Sequence, residues 1–225
     1  MVMGAHRGIH TGTAMTTEVL TLTQWLSPAY PVGAFAYSHG LEAAIGAGWV
    51  NDGAELQAWL SDILTDGSGR NDCILLHTAH SGQVPLQDVN AVGLAFAASA
   101  ERRREALLQG AAFAKTTAAI WTTDESAVIY PVAIGAAAAT RNIDPTLTCA
   151  MYLHAMMSNL IAAAQRLMPL GQTEGQTILM ALSPICEELA QETATATLDD
   201  LSSSTFLSDI ASMQHETQEP RIFRT

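Results

Sequence analysis

Charge is scarce in this sequence: Asp, Glu, Lys and Arg make up only 14% of its 225 residues, and just 10 of these are basic. Set against 22 acidic residues and a net charge of −12, that shortage excludes a nucleic-acid surface, because phosphate binding needs clustered cations. It also disfavours an anionic membrane surface and leaves an acidic partner-binding protein or a cation handler. Cysteine is nearly absent. Cys73, Cys149 and Cys186 are odd in number and far apart, so no disulfide framework follows and a reducing compartment is expected. The apolar stretch from Val132 to Ala139 is too short to span a bilayer, and Met1 to Thr17 lacks the apolar core of a signal peptide. A cytoplasmic protein is expected. Also missing are a P-loop, a dinucleotide glycine fingerprint, HExxH and paired CxxC motifs. No acid, base and oxyanion donor can be assembled, so no enzyme is expected.

What is present points to helices. Hydrophobic residues reach 48%, ample for a core at this length, and Ala, Leu and Met dominate with little period-2 alternation. The expected fold is all-α: one helical bundle of about nine to ten helices. The expected organisation is a disordered segment 1–17, a helical domain 18–217 and an extended tail 218–225. The first helix is predicted from Glu18 to Leu26, closed by Ser27-Pro28. A second is predicted over Gly33 to Ala47 with Phe35 turned inward. Asp52, with Glu55 three residues on, has the spacing of a capping box. A long helical stretch covers Asp88 to Trp121 with a break near Ala100, and Asp124 or Ser126 caps the next helix, which ends near Arg141. Asp144-Pro145 is a strong helix start that should carry to Leu167. Gln172 to Ala196 follows, bent or divided at Ser183-Pro184, then a polar loop and a last helix, Thr205 to His215.

Five places carry candidate chemistry. Ser38 and Glu42, four apart, would share a helix face, which admits a hydrolase or ligand pocket as well as plain packing. Cys73, His77 and His80 fall at i, i+4 and i+7, where sulfur and imidazole would suit Zn or Ni. Ordinary packing explains the same spacing. Glu101-Arg-Arg-Arg-Glu105 reads either as a solvated helix face with internal ion pairs or as a docking patch. Arg166 is a lone cation at a helix C-terminus, followed by a Pro-Leu-Gly-Gln turn into Gln172 and Gln176. Arg221, Ile222, Phe223 and Arg224 form a basic-aromatic tail in which Phe223 has the make-up of an anchor for another chain.

Read together, Pro-Val-Gly-Ala-Phe-Ala-Tyr-Ser-His-Gly-Leu-Glu42 with Gly48-Trp49-Val50 resembles the UreF urease accessory family, whose pattern usually reads PVGGFSYSQGLE and then GWV. The pieces Gln109-Gly-Ala-Ala-Phe113, Arg166-Leu-Met-Pro-Leu-Gly-Gln172, and His215-Glu-Thr-Gln218 with Arg221 to Arg224 match the same family in the same order. The resemblance implies an all-α homodimer without a tightly bound cofactor. It further implies a non-enzymatic assembly factor that binds the UreD (UreH) scaffold and the GTPase UreG, modulates GTP hydrolysis, and serves nickel delivery to apo-urease. It places Glu42 and Arg166 on a UreG-facing surface and the Arg221 to Arg224 tail against UreD, with Gln172 as a further contact. The alternative is a metallochaperone that carries nickel on Cys73, His77 and His80, a face outside the family pattern. Ala34 and His39 depart from the usual glycine and glutamine, and His39 is expected to change the surface.

Overall fold

The computed structural model describes residues 11–123 and 126–225. Among these there are ten α-helices and no strand: α1 Thr11–Trp25, α2 Leu41–Gly46, α3 Gly53–Asp66, α4 Ser68–Ser81, α5 Leu86–Ala95, α6 Ala100–Trp121, α7 Tyr130–Thr140, α8 Pro145–Leu167, α9 Gln172–Glu192 and α10 Phe206–His215. The chain is an all-α bundle, as its composition predicts. Residues 1–10 of the segment expected to be disordered lie outside the described residues, while α1 already begins at Thr11 rather than Glu18.

Several boundaries follow local chemistry. Asp52, Ser99 and Asp144 each accept a backbone N–H from the residue three further on, so α3, α6 and α8 start at side-chain caps. In the Asp52 cap the Glu55 carboxylate reaches the Asn51 N–H, one residue upstream of the standard box. The break near Ala100 is the Ser99 cap itself. α7 corrects the expected start at Asp124 or Ser126: it begins at Tyr130, with Pro131 in its first turn, where a missing N–H costs nothing. α9 runs unbroken through Pro184. Pro184 lies on the exposed side, and Met180, whose carbonyl loses its partner there, is 70% exposed, so water can take the orphaned acceptor.

The helix predicted over Gly33 to Ala47 does not form as one piece. Gly33 has φ 74°, a 3-10 turn spans Ala34–Ala36, Tyr37 is extended, and α2 starts only after Gly40. His39 and Gly40 both hold positive φ, 54° and 79°. A Cβ at Gly40 would stand 2.5 Å from the Ser212 backbone nitrogen, so the close crossing of α2 and α10 needs glycine there. The kink also reverses one expectation: Phe35 is 66% exposed and Tyr37 takes the buried place.

The centre of the bundle is α4, whose Cys73, Ile74, Leu75, Leu76 and His77 are all buried. α7 crosses it on Gly135 and alanines, small enough for the two backbones to meet: a Cβ at Gly135 would reach 3.1 Å from the Ala79 Cβ and run into the Leu76 carbonyl. A ring ladder links the helices, with Trp25 on Phe113 at 5.4 Å, Phe113 on Tyr130 at 5.7 Å and Tyr130 on Tyr152 at 5.7 Å, all edge-on. α8, 23 residues, is long and apolar enough to cross a membrane by length and composition, yet 56% of its most apolar window is buried, as in a core helix.

One contact is intolerant of any side chain. A Cβ at Gly110 in α6 would collide with the Val128 carbonyl and stand 2.8 Å from the Ile129 carbonyl carbon, backbone on which no rotamer can give way. Gly110→Ala is expected to destabilise by about 2–3 kcal/mol. Urea unfolding checks this, and a midpoint equal to wild type contradicts it.

Candidate functional site

The tail predicted to reach a partner instead folds back onto its own domain, and most of the residues singled out in the sequence meet there. Glu42 is buried in the first turn of α2. One carboxylate oxygen accepts the Ile222 N–H at 2.7 Å; the other accepts the Phe223 N–H at 2.8 Å and faces His215 Nε2 at 3.2 Å. Glu42 is therefore no surface contact but the clamp of the tail. Its carboxylate takes two successive amides that would otherwise be left without partners in a dry place. The Arg224 N–H bonds the Ala36 carbonyl at 2.9 Å, and the Thr225 main-chain oxygen accepts from both the Ser38 N–H and the Ser38 hydroxyl. Ser38 is thus a tail ligand rather than a nucleophile, and across the kink at His39 and Gly40 its hydroxyl oxygen also accepts the Glu42 N–H at 3.3 Å.

Phe223 is 3% exposed, and Arg166 lies over its ring at 4.1 Å while donating to the Phe35 carbonyl at 2.6 Å. The expected exposed aromatic anchor is an internal one, since covering both ring faces removes its apolar area from water. Ile222, 70% exposed, is the apolar side chain that the tail shows to solvent, between the exposed Arg221 and Arg224. Arg221 pairs with Glu101, whose other oxygen lies 2.7 Å from His215 Nδ1. His215 has no solvent exposure and faces carboxylates on both ring nitrogens. Its two ring nitrogens thus bridge the Glu42 and Glu101 carboxylates and tie α10 to both α2 and α6. Glu42, Arg166, Arg221, Phe223 and Arg224 thus assemble in one place. Gln172 does not join them; it is exposed at the α8–α9 turn, 3.4 Å from the Gln165 amide.

The Glu101–Glu105 run is neither a solvated face nor a docking patch throughout. Arg103 and Arg104 are exposed, but Glu105 is 2% exposed and receives four donors. Its Oε1 takes His39 Nε2 and Gln109 Nε2, both at 2.9 Å; its Oε2 takes Arg102 and the Thr225 hydroxyl. Burial alone would raise the Glu105 carboxyl, yet Arg102 and His39 outweigh it and hold it down at about 2. His39 points inward, against the expectation of altered surface chemistry. Burial first, then Arg102, push its imidazole below the usual range. An amide of the family's usual glutamine could donate to Glu105 in the same way.

Asp72 and Tyr152 carry no sequence signal at all. The Tyr152 hydroxyl donates to Asp72 at 2.6 Å, and burial pushes the Asp72 carboxyl up to about 6 against the pull of that bond and of Arg102. The folded value lies above the ordinary one near about 3.9, so this group's stabilisation is complete below about pH 4 and lost as pH rises through about 6. Between pH 5 and 8 the native chain is expected to lose about 1 kcal/mol that Asp72→Asn does not lose. Urea unfolding across that range reads the difference, and parallel pH profiles would contradict it.

Cys73, His77 and His80 do not converge. Cys73 is fully buried, its thiol pushed well up by burial and by Cys149 beside it. His77 Nε2 bonds the Ala190 carbonyl at 3.1 Å and His80 Nε2 the Ile143 carbonyl at 3.0 Å. Each imidazole ties α4 to a different neighbour, which corrects the reading of one metal-binding face. Among the described residues no group of three or more His, Cys, Asp or Glu is placed to hold a metal ion.

The family model described as UreF matches residues 50–183. The chain is 50% identical over 210 residues to the urease accessory protein UreF of Ruegeria pomeroyi, covering 92% of this chain and 97% of that one. It is 49% identical over 220 residues to that of Roseobacter denitrificans, covering 96% and 99%. With the protein of the same name from a Bradyrhizobium strain it shares 43% identity over 240 residues, covering 99% and 100%. A family match across more than half its length, and relatives aligned nearly end to end, show that the chain belongs to the UreF family of urease accessory proteins and is an accessory protein, not an enzyme.

Proposed function

We propose that this chain is a cytoplasmic, homodimeric assembly factor for urease, which binds the UreD (UreH) scaffold and the GTPase UreG and links GTP turnover to nickel delivery into apo-urease. Membership of the UreF family supports a role in urease maturation; the partners follow from the resemblance of the landmark segments. The observation that carries the proposal within this chain is the clamped tail. Buried Glu42 fixes the backbone of Ile222 and Phe223, so that Ile222 and the arginines beside it face outward in one held geometry. Holding a short segment in advance lowers the ordering cost of docking. A second apolar strip lies on α10, where Phe206, Leu207, Ile210 and Met213 share a face and are 71%, 56%, 42% and 53% exposed. In this reading Arg166 and Gln172 contact partners, Glu42 acts through the tail, and nickel is cargo of the complex rather than a ligand of Cys73, His77 and His80.

Co-elution of the purified chain with UreD and UreG tests the proposal, and deletion of Arg221 to Thr225 is expected to weaken UreD retention at least about tenfold, the scale of one lost anchor. Unchanged retention removes the tail from the interface; no association with either partner removes the proposal.

A further inference from the structure

A cavity of about 130 Å³, partly open to solvent, is walled by the α1–α2 connection, α4, the α5–α6 loop, α6, α7, α8 and α10. It has no part in clamping the tail beyond sharing the Glu105 and His39 side chains. Its charged lining is unbalanced. Arg102 is paired with Glu105, and Glu105 already accepts four donors. Asp72 takes a single hydrogen bond, on one oxygen, from Tyr152; its other oxygen has no partner among the described residues and is not sealed off, so it opens on the cavity. Asp209 from α10, holding the Ser203 hydroxyl at 3.1 Å, adds a further carboxylate to the lining. Burial and Arg102 push the neighbouring His39 imidazole below its usual range, and its ring is already engaged with Glu105. Against these carboxylates there is one guanidinium, and the cavity lacks a cation.

The other walls say what kind. Tyr30, Tyr37, Tyr130, Tyr152 and Phe96 line the same space. Aromatic faces attract a diffuse organic cation, whereas a metal ion needs several converging donors, and no such set occurs among the described residues. We propose that this cavity binds a small organic monocation, an alkylammonium, with Asp72 as its counter-ion and the tyrosine rings as its walls. The bound ammonium donates hydrogen bonds to the free Asp72 oxygen, and its carbon chain covers the apolar part of the lining. No covalent step is involved.

The test is calorimetric titration of the full chain with n-butylammonium chloride, alongside sodium chloride, magnesium chloride and the uncharged 1-butanol. Saturable binding is expected for the ammonium salt alone. Asp72→Asn, which keeps an acceptor for Tyr152, is expected to weaken it at least about tenfold, as for a desolvated counter-ion. Asp62→Asn, on the exposed side of α3, leaves it unchanged. An equal response to 1-butanol shows an apolar hole only and overturns the proposal, as does an equal response to magnesium or full binding by Asp72→Asn. Where Asp72→Asn does not fold, the native chain decides at pH 5 and pH 7.5. Arg102, Glu105, Tyr152, His39 and the Cys73 thiol surround Asp72 from α6, α8, the α1–α2 connection and α4. Of these, the Asp72 carboxyl, at about 6, gains its charge across the interval, and any proton that His39 releases there acts in the same direction. Affinity is expected to fall about tenfold at the lower pH, and an unchanged affinity overturns the site.

Discussion

Glu105→Ala is expected to lower the unfolding free energy by about 3–5 kcal/mol, the range seen when one partner of a buried ion pair is removed. The loss does not come from a single bond. His39, Arg102, Gln109 and Thr225 all point donors at this carboxylate, and Glu105, Gln109 and Thr225 are buried. Truncation leaves the Arg102 charge inside the protein with Asp72 as its nearest replacement, and leaves the Thr225 hydroxyl and the Gln109 amide without an acceptor. Two readouts separate this account from a simple packing defect. Glu105→Gln, which keeps the shape and part of the acceptor capacity, should lose markedly less in urea unfolding than the alanine variant. In Glu105→Ala the Asp72 carboxyl should also fall from about 6 toward its ordinary value, because the nearby like charge that helps raise it is gone. NMR titration of that carboxyl reads the shift. Equal losses for both variants, with an unmoved Asp72, would mean that volume rather than charge sets the effect.

Glu42→Ala is expected to release the tail while leaving the bundle folded. The buried carboxylate accepts the amides of Ile222 and Phe223, and hydrogen bonds to a charged acceptor contribute about 1.5–3 kcal/mol each. Losing two of them, less what water recovers once the tail lifts, amounts to about 3 kcal/mol of local stability. That corresponds to more than about a hundredfold faster hydrogen exchange at the Ile222 and Phe223 amides. Phe223 then leaves its place under Arg166, and limited proteolysis should cut within the last residues of the variant but not of the native chain. His215, deprived of one of its two carboxylates, keeps Glu101. The midpoint for global unfolding should therefore move far less than exchange at the tail. Exchange protection equal to wild type at those two amides would show that the tail is held elsewhere. Under the proposed function, the same variant should bind UreD about as weakly as the tail deletion does, which ties the clamp to the docking role.

The helical class, the caps at Asp52 and Asp144 and the break near Ala100 are legible in the amino-acid sequence, because each depends on groups within about four residues of one another. The family landmarks are legible for a different reason: they are fixed strings of residues, whose recognition does not depend on how the chain folds. The destination of the charges is not legible. Glu101-Arg-Arg-Arg-Glu105 has the same spelling whether it faces water or the core, and only the return of α10 and the tail, 120 residues further on at Thr225, decides that Glu105 lies inside. Phe223 and Glu42, 181 positions apart, share that fate. Each looks outward-facing from its own neighbours, and each is buried by the other. Local hydrogen bonding sets where a helix begins. Which of its faces is dry depends on whatever distant segment covers it, and the chain alone does not announce that contact.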